Sequence, residues 1–418
     1  MKLFFPDSSD MVDPSFDFDS EERSTTRVRQ RDDQYAHEVF EAPPLDGYLV
    51  SKGIVDGIGG ATGRYTLAQK QRLLRGGIRQ FFRLDEGGGK RLETMGDCGA
   101  FSYVREHKPP YSVSEVLDFY SVCDFDYGLS VDHVILGFQL ALDGGLPGVN
   151  APPPRWVERQ ELTLELADEF LRSQKSRKET FHPIGVAQGW SPESYARAVR
   201  ALQKMGYTYI AIGGIVPLKD NELIPVVQAV GSVRKTKTRF HLLGVSRCHE
   251  VPGFSRHGVA SFDTTSPLRQ AFKDDRNNYH TLDGSHVAVR VPQVDGNAQV
   301  RRMILSGKLD GGLAHKLEQR CLEILRLFDS REESVDAVLA SIKEYYAAIG
   351  MEPSRMELYR KTLEDRPWLD CPCDVCKQLG IHVILFRGAE RNRRRGFHNL
   401  YTLYRRLEIE NAGLESNA

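Results

Sequence analysis

Apolar residues along this chain follow two rhythms that alternate over most of its length. Short, nearly continuous apolar runs lie at Gly47–Ile54, Ile78–Leu84, Phe125–Val131, His182–Ala187, Tyr207–Ile212, Arg239–Val245 and Gly258–Phe262. Between them, apolar positions recur at three-and-four spacing in Thr66–Arg75, Ser114–Val122, Val157–Lys178, Pro192–Met205 and Leu223–Val233. The first rhythm predicts strands buried on both faces, and the second predicts amphipathic helices. Their alternation predicts an α/β fold with a parallel sheet, because each crossover lays a helix over the sheet. Opened, such a sheet is doubly wound; closed, it is a (β/α)8 TIM barrel. Seven or eight units in roughly 250 residues favour the barrel. Lys316–Phe328 and Val335–Ala348 read as further helices, expected to pack against the barrel.

The first 41 residues break the rhythm. They are polar and partly acidic, and predict an arm running over the surface, with Phe4, Phe5, Phe16 and Phe18 as anchor points. The expected division is an arm over 1–41, a catalytic barrel core over 42–310, and a helical, metal-binding part over 311–418 that completes the barrel. Composition changes this picture little. A hydrophobic content of 40% and a charged content of 27% are those of a soluble globular protein. A net charge of −1 supplies no overall field toward nucleic acid or an anionic membrane, so any nucleic-acid site must be a local patch. No membrane span and no signal peptide are expected. The chain has seven cysteines, an odd number with three clustered, which fits a reducing cytoplasm better than a disulfide framework.

The cluster carries the sharpest chemistry. Cys371, Cys373 and Cys376 fall in one short run, and His398 follows in Gly396-Phe397-His398-Asn399-Leu400. Thiolate and imidazole are the donors zinc prefers, and four of them close a tetrahedral structural site. One Zn2+ is therefore expected. In a barrel, a second concentration of chemistry is expected where strands end. The polar groups there are Asp97 in Gly96-Asp97-Cys98-Gly99, Asp132 in Ser130-Val131-Asp132-His133, Gln188, the pair Gly213 and Gly214, Ser246 with Arg247, and Asp263 in Phe262-Asp263-Thr264. Any one of them is most simply a helix cap. Together, beside glycines that leave room for a flat ligand, they read as a site.

These segments resemble the tRNA-guanine transglycosylase superfamily, enzymes that exchange guanine for a 7-deazaguanine within a polynucleotide. Asp97-Cys98-Gly99-Ala100-Phe101 is similar to that family's Asp-Ser-Gly-Gly-Phe segment. Val186-Ala187-Gln188-Gly189 is similar to its Val-Gln-Gly. Ile212-Gly213-Gly214 is similar to its Gly-Gly strand end. Phe262-Asp263 through Pro267 and Arg269 is similar to its Phe-Asp-x-x-x-Pro-x-Arg. The cysteine run and His398-Asn399-Leu400 follow in the same order. Cys98 and Ala100 depart from the tRNA enzymes, as do Val12-Asp13-Pro14-Ser15-Phe16-Asp17 and Ser130–His133. These departures resemble the DNA-modifying branch, the DpdA-type DNA-guanine transglycosylases.

The resemblance implies roles. Asp263 would be the nucleophile at C1′ and Asp97 the proton-handling group, while Asp132, Gln188, Gly213 and Gly214 would hold the base. The implied polymer is DNA, modified with 7-cyano-7-deazaguanine in company with partner proteins of a DNA-modification system. The alternatives are an enzyme acting on tRNA and a non-catalytic, zinc-containing nucleic-acid-binding subunit. The presence of both Asp97 and Asp263 argues against the last. The basic run Arg391, Arg393, Arg394 and Arg395, between the third and fourth metal ligands, is expected to bind the polymer backbone. His133 is expected to start a helix and take no part in catalysis.

Overall fold

Eight parallel strands close into a barrel in chain order. They are β1 (Lys2–Pro6), β2 (Gly47–Ser51), β3 (Glu93–Asp97), β4 (Tyr127–Leu129), β5 (His182–Ala187), β6 (Tyr209–Ile212), β7 (Arg239–Leu242) and β8 (Val259–Asp263). The computed structural model describes residues 1–7, 9–58, 63–85, 89–142, 151–245, 251–273 and 276–415. Side chains fill the barrel interior: Phe4, Leu49, Met95, Leu129, Ile184, Val186, Tyr209 and Ala211 form one buried cluster. Most of these alternate with residues that face the helix layer, such as Leu3, Phe5, Tyr48 and Val50, which are buried too. Burial on both faces is why these strands read as continuous apolar runs.

Two strands differ from the sequence expectation. Residues 2–6, expected within a surface arm, are β1, and Leu3 and Phe4 are fully buried. Phe4 stands in register with Gly47 of β2 and with Asp263 of β8, so β1 closes the ring. The run Ile78–Leu84, expected as a strand, instead lies at the end of the helix Leu67–Phe81 and just past it. Its apolar residues Ile78, Phe81 and Phe82 have helical spacing, and Gly77, at φ +74°, kinks the helix just before them. The second expected strand is replaced by Glu93–Asp97, whose Thr94, Met95 and Gly96 are buried.

The chain forms two compact units. One comprises 1–9, 45–265 and 407–418, and the other 10–44 and 266–406. Among the described residues, no segment after Asp263 adds a strand to the barrel ring. The second unit is mainly helical, with Gly311–Asp329 packed on Val335–Ala348. It also holds a short antiparallel pair, Tyr279–His280 with Ser285–His286, and a parallel pair, Val289–Arg290 with Leu385–Phe386. Its last helix begins at Gly388 and carries the basic run.

That run is not an exposed cationic patch. Arg391, Arg394 and Arg395 are at most 3% exposed. Arg391 pairs with Glu21 and donates to the Phe18 carbonyl. Arg394 pairs with Glu390 at 2.8 Å and donates to the Asp13 carbonyl at 2.6 Å. Arg395 donates to the carbonyls of Leu385 and Ala271 at 2.9 and 2.6 Å. Arg387, also buried, grips Glu21 and Glu318. A guanidinium committed to buried partners cannot also reach a phosphate without leaving those partners unpaired. The run is instead the staple that holds the 10–44 segment to the last helix. Only Arg393 keeps appreciable exposure, 28% of its side chain.

Burial raises the Glu21 pKa, but the Arg387 hydrogen bond and the charges of Arg391 and Arg387 outweigh it and hold the carboxyl at about 2. A depressed carboxylate stabilises the fold above its unfolded pKa, and that stability is lost as pH falls from about 4.5 toward 2. Arg391→Ala is expected to cost about 3 kcal/mol, because it removes one of the two guanidiniums that pair with the largely buried Glu21 and empties the site that Arg391 fills. Arg393→Ala is expected to stay within roughly 0.5 kcal/mol. Denaturant unfolding at neutral pH compares the two. Equal, small effects would return the run to the role of a surface patch.

Candidate active site and metal centre

The barrel topology brings the strand-end residues to one mouth. Asp97 ends β3 in register with Ser51 of β2. Asp263 ends β8. Asp132 follows β4 by three positions, Gln188 follows β5 and Gly213 follows β6. Beyond β7, Ser246 and Arg247 lie outside the described residues.

Asp132 and Gln188 form one rigid hydrogen-bonded unit. Asp132 is 3% exposed and Gln188 is 1% exposed. The Gln188 side-chain amide donates to Asp132 Oδ2 at 2.7 Å, and its Oε1 accepts from the Ile135 amide at 3.1 Å. Cys98 Sγ donates to Asp132 Oδ1 at 3.2 Å and lies 3.0 Å from the Tyr103 hydroxyl. That hydroxyl donates to the Asp132 carbonyl at 3.0 Å. Cys98 is thus a packed, hydrogen-bonded thiol. Burial, followed by the nearby Asp132 and Asp97 charges, pushes its pKa up, which disfavours the reactive thiolate.

The two glycines serve Gln188. A Cβ on Gly213 would sit 2.3 Å from its Nε2. One on Gly214, at φ +74°, would sit 2.7 Å from its Oε1 and 2.5 Å from the Ile135 carbonyl. The Gly213 amide and carbonyl are already engaged, with the Ala187 carbonyl and the Tyr195 hydroxyl. Side-chain-free positions are needed here to seat the amide.

The acidic groups are close, and burial sets their protonation. Ligand atoms of Asp97, Cys98 and Asp132 lie within 4.8 Å of one another. Burial raises the Asp97 carboxyl to about 7, with further upward pushes from Asp132 and Asp263 and opposition from the Ser51 hydroxyl and Gly99 amide. Burial likewise raises Asp132 to about 6, against hydrogen bonds from Cys98 and Gln188. Asp97 is therefore a carboxyl poised to give or take a proton near neutrality.

Asp263 is placed differently. Its Oδ1 accepts from the Gly244 amide at 3.0 Å and lies 3.1 Å from His241 Nε2. No hydrogen bond from the described residues engages Oδ2. His241 Nδ1 lies 2.6 Å from Ser261 Oγ, which also meets the Tyr209 hydroxyl. The sequence reading missed His241 and Ser261. The available signal was polar residues set inside apolar barrel strands, Phe240-His241-Leu242 and Ala260-Ser261-Phe262. His133, by contrast, has its Nε2 on the Glu106 carbonyl at 2.8 Å and its amide on Thr163.

In the second unit, Cys371, Cys373 and Cys376 place their sulfurs 3.5, 3.5 and 3.3 Å from His398 Nδ1. Ligand atoms of a tetrahedral zinc site lie roughly 3.6 Å apart, given bonds of about 2.3 Å to sulfur and 2.1 Å to nitrogen. His398 Nε2 donates to the His280 carbonyl at 2.8 Å, which leaves Nδ1 as the lone-pair donor. The Tyr279 ring stacks on the imidazole at 4.0 Å and fixes its plane. Donor set, spacing and outer support all fit a metal ion.

Two comparisons bear on this arrangement. The model of the family described as queuine tRNA-ribosyltransferase matches residues 138–406, which include Gln188, Asp263 and all four Cys and His donors. A DNA-guanine transglycosylase from Salmonella montevideo is 48% identical over 413 residues, covering 98% of this chain and 97% of the relative. That alignment spans nearly the whole chain. By the family match and by this near-complete similarity, the chain belongs to the queuine tRNA-ribosyltransferase family as a guanine transglycosylase.

Proposed function

We propose that this enzyme exchanges guanine in DNA for a 7-deazaguanine, 7-cyano-7-deazaguanine, through a covalent bond between Asp263 and C1′ of the nucleotide. The observation that carries the mechanism is the asymmetry of Asp263, with one oxygen anchored by two contacts and the other unengaged among the described residues. The choice of DNA rests on the name of the Salmonella relative, which is similar over nearly its full length.

The chemistry balances with the groups present. Asp263 Oδ2 attacks C1′ as the bond from C1′ to the guanine nitrogen breaks, through an oxocarbenium-like transition state. The departing base takes the electron pair and receives a proton from Asp97. The deazaguanine enters, gives its ring N–H proton to the Asp97 carboxylate, and attacks C1′. Asp263 then leaves as carboxylate. Asp132 accepts from donors on the base edge, Gln188 keeps Asp132 oriented, and the Gly214 backbone lines the same edge. The target base must first leave the stack, at a cost of a few kcal/mol in a duplex. Partner proteins that open or present the duplex belong to this proposal. One Zn2+ held by Cys371, Cys373, Cys376 and His398 would cross-link the segment that carries them and take no part in bond making.

Among the described residues no helix is long and apolar enough to cross a membrane. The free thiols Cys98, Cys123 and Cys321 accord with a cytoplasmic enzyme.

Asp263→Asn is expected to abolish base exchange and any denaturant-stable adduct between protein and DNA. An adduct that persists in that variant moves the nucleophile elsewhere. Nucleoside analysis of DNA and tRNA from cells with and without the protein separates the two polymers; deazaguanine found only in tRNA would overturn the DNA assignment.

Guanine departure needs Asp97 protonated. Its rate should therefore fall as pH rises through about 7. Asp97→Asn should slow exchange by about 10²- to 10⁴-fold and remove that limb. A variant that keeps the limb assigns the proton to another group.

Cys373→Ala is expected to lose the metal and destabilise the second unit. Elemental analysis should find about one zinc per unsubstituted chain. A fully folded, metal-free native protein would refute the zinc site.

A further inference from the structure

A chain of polar groups runs through the barrel interior to the Asp263 carboxylate. It starts at Tyr209 on β6, passes to Ser261 on β8, then to His241 on β7, and ends at Asp263 Oδ1. His241 and Ser261 are fully buried and Tyr209 is 3% exposed. Phe4 lies edge-on to the imidazole at 5.9 Å, and at the far end of the chain the Arg239 guanidinium lies over the Tyr209 ring at 4.3 Å. Buried polar groups cost free energy unless every member is paired. A barrel core that keeps three of them in line, where apolar residues would pack, calls for a reason.

The donors can be ordered without ambiguity for a neutral imidazole. A carboxylate only accepts, so His241 Nε2 carries the hydrogen and donates to Asp263. Nδ1 must then accept, so Ser261 donates to it. The Ser261 oxygen is left to accept from the Tyr209 hydroxyl. Each link fixes the next, and the tautomer of His241 is set two residues away from the carboxylate. Oδ1 is therefore held by two N–H donors, while Oδ2 has none among the described residues.

We infer that His241 is a positioning residue for Asp263, and that the Tyr209–Ser261–His241 chain governs how fast the covalent intermediate breaks down. This inference rests on the reading of Asp263 as the nucleophile. Two effects follow from the geometry. Anchoring Oδ1 fixes the carboxyl plane, so that Oδ2 is presented to C1′. A donor on Oδ1 also stabilises the carboxylate that is re-formed when the entering base attacks C1′ and the bond from Asp263 to C1′ breaks. The ester in the intermediate has no full charge on Oδ1, so the hydrogen bond strengthens as the carboxylate departs. It therefore helps the second half-reaction most.

The test uses the full-length enzyme and guanine-containing DNA in a single turnover. Adduct formation is followed first without incoming base. Its breakdown is followed after a chase with the deazaguanine. His241→Phe is expected to slow breakdown by about tenfold, the worth of one hydrogen bond to a charged group. Formation should slow less, so adduct should accumulate. His241→Gln, whose side-chain amide can donate to Oδ1, should restore much of the breakdown rate. Ser261→Ala frees the imidazole to switch tautomer and should shift the ratio in the same direction by a smaller factor, which keeps the test open if His241→Phe fails to fold. Thermal melts report folding separately. A structural role alone would lower formation and breakdown together, in step with stability, and without rescue by Gln. That outcome, or unchanged breakdown in all three variants, overturns the inference. An adduct that survives Asp263→Asn overturns the nucleophile reading itself, and the absence of any adduct in the unsubstituted enzyme overturns both.

Discussion

The hydrogen bonds of β1 hold the barrel together at its seam. This strand spans Lys2–Pro6 and pairs in parallel with β2 on one side and β8 on the other. Without it, β2 and β8 would each present an unpaired edge, and the strand ends would lie along an open sheet instead of around a ring. The site depends on the ring. Asp97, Asp132, Gln188 and Asp263 come from four different strands or their extensions, and closure alone gathers them. The seam also reaches the candidate site directly. Phe4 is in register with Asp263, and its ring packs against His241.

Gathering acids in a buried mouth has an electrostatic cost, and the surroundings answer it in two ways. Asp132 receives donors on both carboxyl oxygens, from Cys98 and Gln188. At Asp97 the Ser51 hydroxyl and the Gly99 amide do not outweigh burial and two negative neighbours, and the carboxyl holds its proton to about 7. Burial thus raises both carboxyls, and their different partners set how far, to about 6 at Asp132 and about 7 at Asp97. Glycine takes part passively: the absence of side chains at Gly213 and Gly214 gives the Gln188 amide its seat.

Much of this was legible in the chain. Six of the eight strands fall within continuous apolar runs, to within one residue at the end of β8, because double-sided burial leaves little alternation to confuse the reading. The Cys and His donors were legible because their clustering is improbable by chance, and the strand-end acids because topology fixes where strands end. The misreadings have physical causes. In β1, Leu3-Phe4-Phe5 is an apolar triplet between Lys2 and Pro6, too short to stand out from the polar residues around it. In Ile78–Leu84 a helix end with closely spaced aromatics imitates a strand. The arginine run looked like a phosphate patch because its partners, Glu21, Asp13 and Phe18, lie more than 350 positions earlier. Charge can be counted from a sequence, whereas burial of a charge depends on partners that only the fold supplies. His241 escaped for the same reason, since its meaning lies in Ser261 and Asp263 on the neighbouring strand.

The threading of the first 44 residues bears on how the chain comes to fold. Residues 1–9 belong to the barrel unit, 10–44 to the other, and 45 onward to the barrel again. One partner of β1 is β8, complete only at Asp263, and the partners of the 10–44 segment include Glu390, Arg391 and Arg394. During synthesis this segment therefore emerges well before β8 and the last helix, and its set of native neighbours is completed late. Such sequence-distant pairing means high contact order and a slow closing step. Until then β1, even if paired with β2, keeps an open edge toward the missing β8, the kind of surface that recruits other chains. The polar, charge-rich character of residues 10–44 keeps the waiting segment solvated. The composition that made this stretch resemble a free arm is also what lets it remain one until the last helix is made.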